Sequence, residues 1–317
     1  MDERSGSARR ATGPFHGLAV RPAETPGLWY QVTALPRGCL GLAIGHQVSG
    51  TPQQPAAVVD EALRGGGDPV EALGALQQLG ALDEPACSAL CAVIDRPASR
   101  VSVSSVGDIA AVVSGPGIGH RMLRCPPGEL TAADLSPGDT LLLCTAAPAA
   151  TGVLLDECTA AHPCDALDRI VDAVTPAAGA VVAVLYRHPP ASLQMSLPAE
   201  PSNLATMRDQ LRQWLAIAGV DAEDSADALL AVGEAASNSA EHSVAGVAHE
   251  VTLSVEAWVG DGGLRFTVAD NGRWQPARDF SDHRGLGIKL INALVDTVDL
   301  TTGETGTTVR MLKEMRQ

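Results

Sequence analysis

The stretch Val232-Gly-Glu-Ala-Ala-Ser-Asn-Ser-Ala-Glu-His242 decides how the rest of the chain is read. It closes a helical pattern that begins near Asp224, with Ala226, Leu229, Leu230 and Val232 as its apolar stripe. Glu234, Asn238 and His242 stand four residues apart, so a helix carries all three on one face. A carboxylate, an amide and an imidazole in one column can activate a hydroxyl, hold a metal and meet a phosphate. The same column is also what an ordinary amphipathic helix shows to water, so the stretch needs support from elsewhere.

The support is an order of motifs downstream. Leu264-Arg-Phe-Thr-Val-Ala-Asp270 alternates like a strand and runs into Asp270-Asn-Gly272-Arg-Trp274. A polar run then reaches Arg284-Gly285-Leu-Gly287-Ile288, which opens an amphipathic segment from Lys289 to Val298. Thr305-Gly306-Thr307-Thr308-Val309 leads into a last strand. This succession resembles the four nucleotide-binding boxes of the GHKL ATPase superfamily, and within it the anti-sigma-factor serine kinases of the RsbW type. The likeness covers roughly Ser192 to Gln317.

The resemblance implies a C-terminal two-layer α/β sandwich of the GHKL (Bergerat) type that uses ATP and Mg²⁺. It assigns Glu234 as general base toward a serine or threonine hydroxyl and Asn238 as the Mg²⁺ ligand. Asp270 would read the adenine amine, Gly272 would let the backbone pass close to the base, and Thr307 would support the Asp270 contact. Gly285 and Gly287 would turn backbone N–H groups and a helix N-terminus toward the phosphates. Arg284 either adds charge there or is a solvated lid residue, and His242 either touches phosphate or caps its helix. Trp274 stands where the superfamily has a second glycine. The short run from Trp274 to Arg284 suits a small protein kinase, and no phosphoacceptor-histidine helix is visible.

Composition sets limits. A chain of 317 residues has room for two domains. A formal charge of −15 opposes direct binding of nucleic acid. No apolar run is long enough to span a bilayer and no secretory leader is apparent, so a cytoplasmic protein without membrane attachment is expected. The seven cysteines all fall between Cys39 and Cys164, which in a chain without an export signal suggests reduced structural thiols. Cys87 and Cys91 would share a helix face.

Met1 to about Phe15 is expected to be a disordered tail. Strands are expected at Leu28–Val32, Gly41–Gly45, Cys87–Ile94, Val101–Ser105, Ala110–Ser114, Thr140–Cys144 and Ala180–Tyr186. Helices are expected at Pro55–Leu63, from Pro69 to about Leu79, and at Leu167–Val174. Residues 16–187 thus read as an α+β domain, followed by a connector at 188–191 and by the nucleotide-binding domain at 192–317. There, Ser192–Leu197 reads as a strand and Asn203–Ala218 as a helix with Leu204, Met207, Leu211 and Leu215 on one side.

The first half resembles metal-dependent serine/threonine phosphatases of the SpoIIE type. The likeness lies in Pro26-Gly-Leu-Trp-Tyr-Gln31, Ile44-Gly-His46, Gly67-Asp-Pro, Gly107-Asp-Ile, Leu135-Ser-Pro-Gly-Asp139-Thr-Leu-Leu-Leu-Cys-Thr145 and Gly179-Ala-Val-Val. It implies an αββα sandwich. Where that family carries metal-binding carboxylates, this chain has Leu28, His46, Ala146 and Gly179-Ala180. Leucine, alanine and glycine side chains offer no ligand to Mg²⁺ or Mn²⁺, so a pseudophosphatase is expected. The chain is expected to start almost at this core, without the sensory module that often precedes it in such proteins. The short connector suggests that this half regulates the other.

The function implied is an ATP-dependent serine/threonine kinase that phosphorylates a STAS-domain anti-anti-sigma protein. It would also bind a sigma factor, regulating transcription in a stress response by partner switching. The family likeness allows a homodimer, for which the sequence itself gives no interface. One alternative is a non-catalytic ATP-binding module that sequesters a partner. Another is a live phosphatase with unusual ligands.

Overall fold

The computed structural model describes residues 9–10, 18–21, 27–47, 53–82, 87–115, 119–126, 128–145, 163–178, 181–242, 251–260, 263–272, 286–303 and 306–314. The chain divides into two units, Met1–His188 and Pro189–Gln317.

In the first unit the order is β1 (Arg9–Arg10), β2 (Leu18–Arg21), β3 (Leu28–Ala34), β4 (Leu40–His46), α1 (Gln53–Arg64) and α2 (Pro69–Gln78). There follow β5 (Ser88–Asp95), β6 (Arg100–Val106), β7 (Ala111–Gly115), β8 (Gly119–Leu123), β9 (Thr131–Asp134), β10 (Thr140–Cys144), α3 (Pro163–Ala178) and β11 (Ala183–Arg187). They build two antiparallel sheets, ordered β1-β2-β11-β10-β7-β8 and β3-β4-β5-β6-β9.

Strands such as β4 and β10 read as unbroken apolar runs because both of their faces are covered. Leu42, Ile44, Leu141, Leu143 and Tyr186 point between the sheets. Leu142, Cys144 and Leu185 face α3, while Ala43 and Cys91 face α1 and α2. The result is an αββα sandwich. Helix α2 begins as its sequence dictates: Pro69 occupies the first turn, and Asp68 and Glu71 form a capping box.

The second unit runs β12 (Leu193–Pro198), α4 (Leu204–Ile217), α5 (Ala222–His242), β13 (Thr252–Gly260), β14 (Gly263–Asp270), α6 (Leu286–Leu294), β15 (Thr297–Gly303) and β16 (Gly306–Glu314). Its antiparallel sheet has the order β12-β13-β14-β16-β15. Leu264, Phe266 and Val268 of β14 enter the core beneath the helices, while Arg265 between them faces water. Leu204, Met207, Leu211, Trp214 and Leu215 bury one side of α4, each large side chain stabilising the unit by about 1.5–3 kcal/mol. This is a two-layer α/β sandwich.

Several expectations are corrected. The buried stripe of α5 is Ala228, Ala231, Val232, Ala235, Ala236 and Ala240, whereas Ala226 is exposed and Leu230 is 56% exposed. Small side chains set the phase because α5 lies close against the sheet. The segment from Lys289 to Val298 is not one helix: α6 stops at Leu294, and the β-branched Thr297 and Val298 open β15. Cys91 lies on a strand rather than a helix, with its buried thiol pushed up to about 12 by desolvation. Arg9 and Arg10, in the expected tail, pair with Val20 and Ala19. The strands β2, β8, β9 and β15 carry too little apolar alternation to be read in advance. The described cysteines are all free. No described helix is long and apolar enough to cross a membrane.

Candidate functional site

Helix α5 starts on Asp221, whose Oδ1 accepts the Asp224 N–H at 2.8 Å. The helix packs on β14 and β16 and against α6. Its buried alanines leave Glu234 and Asn238 half-buried, one turn apart. The first turn of α6 meets them there. A β-carbon on Gly287 would lie 2.4 Å from Glu234 Oε1 and 3.1 Å from Asn238 Nδ2. The absence of a side chain at Gly287 lets the α6 backbone come this near without moving the Glu234 carboxylate.

A second group forms where β14 ends. Asp270 lies directly across from Thr307 of β16. Its Oδ1 accepts the Gly272 N–H at 3.0 Å and the Thr307 N–H at 3.4 Å. The carboxylate is thus oriented by backbone donors through one oxygen. Asn271 Oδ1 accepts the Thr252 N–H at 2.7 Å, tying the start of β13 to this corner. Gly306 has φ +138, and a β-carbon on it would fall 1.9 Å from the Asp270 carbonyl oxygen.

Of the residues singled out in the sequence, Glu234, Asn238 and Gly287 therefore meet in one group, and Asp270, Gly272 and Thr307 in another. The two groups are carried by elements packed on each other. Arg284, Gly285 and Trp274 lie outside the described residues; His242 ends α5, and its side chain is not described. Asn271 and Gly306 were not singled out, although both stand within motifs already quoted.

An ion cluster was missed altogether. Lys313 of β16, 7% exposed, places Nζ 2.7 Å from Asp227 Oδ2, 3.5 Å from Asp224 Oδ1 and 3.0 Å from the Leu294 carbonyl oxygen. Desolvation pulls the lysine pKa down, but the hydrogen bond and charge of Asp227, joined by Asp224, outweigh it and raise the pKa. The signal was available: Val309, Met311 and Lys313 alternate in phase, so the lysine falls at a core-facing position. Lys313 holds the C-terminal end of α6 to the first turns of α5, while Gly287 at the other end of α6 touches Glu234.

In the first unit, Leu28 and His46 stand directly opposite each other on β3 and β4. Leu28 is buried in the core between the sheets. Ala146 and Gly179-Ala180 lie outside the described residues. At the far end of β11, the Tyr186 hydroxyl is 3.1 Å from His188 Nδ1, and His188 Nε2 is 3.2 Å from Ser99 Oγ. Burial, then the charge of Arg96, lowers the His188 pKa, and burial raises that of Tyr186 to about 12.

Comparison with known proteins agrees with this architecture. Residues 197–313 match the family described as histidine kinase-like ATPase domain. The crystal structure of the RsbU and RsbW domains of Rv1364c from Mycobacterium tuberculosis is similar at 21% identity and a TM-score of 0.55, covering 99% of this chain and 97% of that one. The SiaA-PP2C domain of Pseudomonas aeruginosa matches at 16% identity and a TM-score of 0.45, over 54% of this chain and 86% of that one. The PP2C phosphatase domain of SpoIIE from Bacillus subtilis, with a fragment of its regulatory domain, matches at 13% identity and a TM-score of 0.42, over 58% and 65%. The last two scores are too low for a fold assignment by themselves. A domain of the ATPase family implies ATP as its ligand, and the oriented Asp270 carboxylate has the chemistry to accept from a base amine. Residues 197–313 are thus a GHKL-type domain of the histidine kinase-like ATPase family, preceded in the same chain by a unit of αββα fold.

Proposed function

We propose that residues 192–317 form an ATP-dependent serine/threonine kinase of the anti-sigma-factor type, acting in the cytosol on a small STAS-domain anti-anti-sigma protein. The observations that carry this reading are the seating of Gly287 against Glu234 and Asn238 and, in the same unit, an Asp270 carboxylate held by the amides of Gly272 and Thr307. Glu234 takes the proton of the incoming hydroxyl. The substrate oxygen forms the new bond to the γ-phosphorus as the bond to the β-phosphate oxygen breaks, and ADP leaves with the electron pair. Asp270 accepts from the adenine amine. Mg²⁺ when bound, held through Asn238, neutralises phosphate charge. His242, Arg284 and Gly285 complete the phosphate side in this proposal. The same domain binds a sigma factor and releases it on partner switching.

The unit at 16–187 serves in this reading as a regulatory pseudophosphatase, since Leu28, buried and paired across from His46, cannot ligate a metal ion. The test is labelled ATP with Mg²⁺, the full chain and the STAS proteins of the same cell. Label on a serine or threonine, reduced at least about 100-fold by Glu234→Gln with ATP still bound, supports the kinase. Saturable ATP binding without transfer would instead support a non-catalytic sequestering module. Manganese-dependent release of phosphate from a phosphoserine partner would contradict the pseudophosphatase assignment.

A further inference from the structure

On the face of the six-stranded sheet that α3 covers, the apolar row Leu185, Leu142, Val112 is followed by a polar one. Register places Arg187 opposite Thr140, Thr140 opposite Ser114, and Ser114 opposite His120. Directly paired residues share a face, so a guanidinium, two hydroxyls and an imidazole form one line across four strands. Arg187, Thr140 and Ser114 are 3%, 1% and 0% exposed, while His120 on the edge strand β8 is exposed. The row therefore leads inward from the sheet edge.

Three of its members have protein contacts. Thr140 Oγ1 donates to the Ser114 carbonyl oxygen at 3.2 Å, and Ser114 Oγ lies 3.4 Å from His120 Nδ1. Arg187 differs: its Nε and Nη2 are shielded from solvent and meet no acceptor among the described residues. Burial pulls its pKa down to about 10, which leaves it charged at pH 7. Asp139, the buried carboxylate preceding Thr140, is turned to the other face. Its Oδ2 accepts the Ser136 N–H at 2.8 Å and its Oδ1 lies over Gly115, the neighbour of Ser114.

A buried charge without a counter-charge is strongly unfavourable, and the other buried cation described above, Lys313, is paired with two carboxylates. Nε and Nη2 are also the two donors with which an arginine grips two oxygens side-on. We propose that the row Arg187–Thr140–Ser114–His120 is a binding site for a small oxyanion of the phosphate type, with Arg187 as its principal contact. The depth of Arg187 suits a free ion rather than a protein segment. The site is separate from the phosphatase metal positions, since Leu28 and His46 lie in the other sheet and Gly179-Ala180 precedes the opposite end of β11. It does not depend on the kinase reading.

The test uses the full chain, with Tm followed against inorganic phosphate at pH 7 and ionic strength held constant with chloride. Wild type should show a saturable rise, about 3 °C at tenfold excess over Kd. Arg187→Met should fold without loss of Tm in chloride and show no phosphate response. Arg187→Lys should bind at least about tenfold more weakly. Asp270→Asn, in the other unit, should respond like wild type. An absent wild-type response overturns the proposal, as does an unchanged response in Arg187→Met or a lost one in Asp270→Asn. Stabilisation by acetate but not by phosphate overturns the ligand class. If Arg187→Met does not fold, the wild-type and Arg187→Lys titrations decide.

Discussion

Gly287, in the first turn of α6, stands so close to Glu234 of α5 that a β-carbon on it would lie 2.4 Å from the Glu234 carboxylate. The atom in the way is the end of a flexible side chain, so Gly287→Ala should displace the carboxylate rather than unfold the unit. Alanine also favours the helix by about 0.8–1 kcal/mol, so Tm should hold. The phosphotransfer rate should fall about 100-fold, as misplacement of a reacting group by about an ångström does. A variant with unchanged rate would separate Glu234 from the chemistry.

Gly306 presents the opposite case. Its φ of +138 and the backbone oxygen 1.9 Å from a virtual β-carbon leave nothing flexible to yield. Gly306→Ala should destabilise the second unit by about 2–4 kcal/mol in urea unfolding, with the Asp270–Thr307 corner disturbed. Stability within about 0.5 kcal/mol of wild type would contradict the geometry.

Much of this was legible in the sequence, for definite reasons. The i, i+4 spacing of Glu234 and Asn238 fixes a shared helix face, and the alternation of Leu264 to Val268 fixes which side of β14 is buried. The stripe of α5 was misread because Leu230 outranks alanine in hydrophobicity, while the close helix–sheet contact selects small residues instead. The strand Thr297–Gly303 was missed because it lies at the sheet edge with most of its residues exposed, so no apolar alternation marks it. Alternation marks Lys313 as core-facing, but its partners Asp224 and Asp227 are distant in sequence and meet the lysine only in the fold.

That cluster gives a third prediction. Asp224 is 0% exposed, so Lys313→Met would take the Lys313 charge away from a buried carboxylate. The cost should be about 3–5 kcal/mol by denaturant unfolding. A loss below about 1 kcal/mol would mean that the pair is solvated.

His188 predicts a pH dependence in the first unit. Its folded pKa lies below the ordinary 6.5, through burial and the charge of Arg96. Its contribution to stability is therefore full above pH 6.5 and is lost as pH falls through the folded value. Wild type should lose stability on acidification below pH 6.5 with a slope of up to about 1.4 kcal/mol per pH unit from this group. Unfolding of His188→Gln followed between pH 7 and 5 should show a shallower decline; equal slopes would remove His188 as the cause.

The most direct measurement is calorimetric titration of the full chain with ATP and Mg²⁺, wild type beside Asp270→Asn. An asparagine amide can turn a donor toward the adenine amine where the carboxylate accepts from it. Saturable wild-type binding, weakened at least about 100-fold in a folded Asp270→Asn protein, is the predicted result. Binding absent from wild type, or equal in the two proteins, would contradict a nucleotide site built on Asp270.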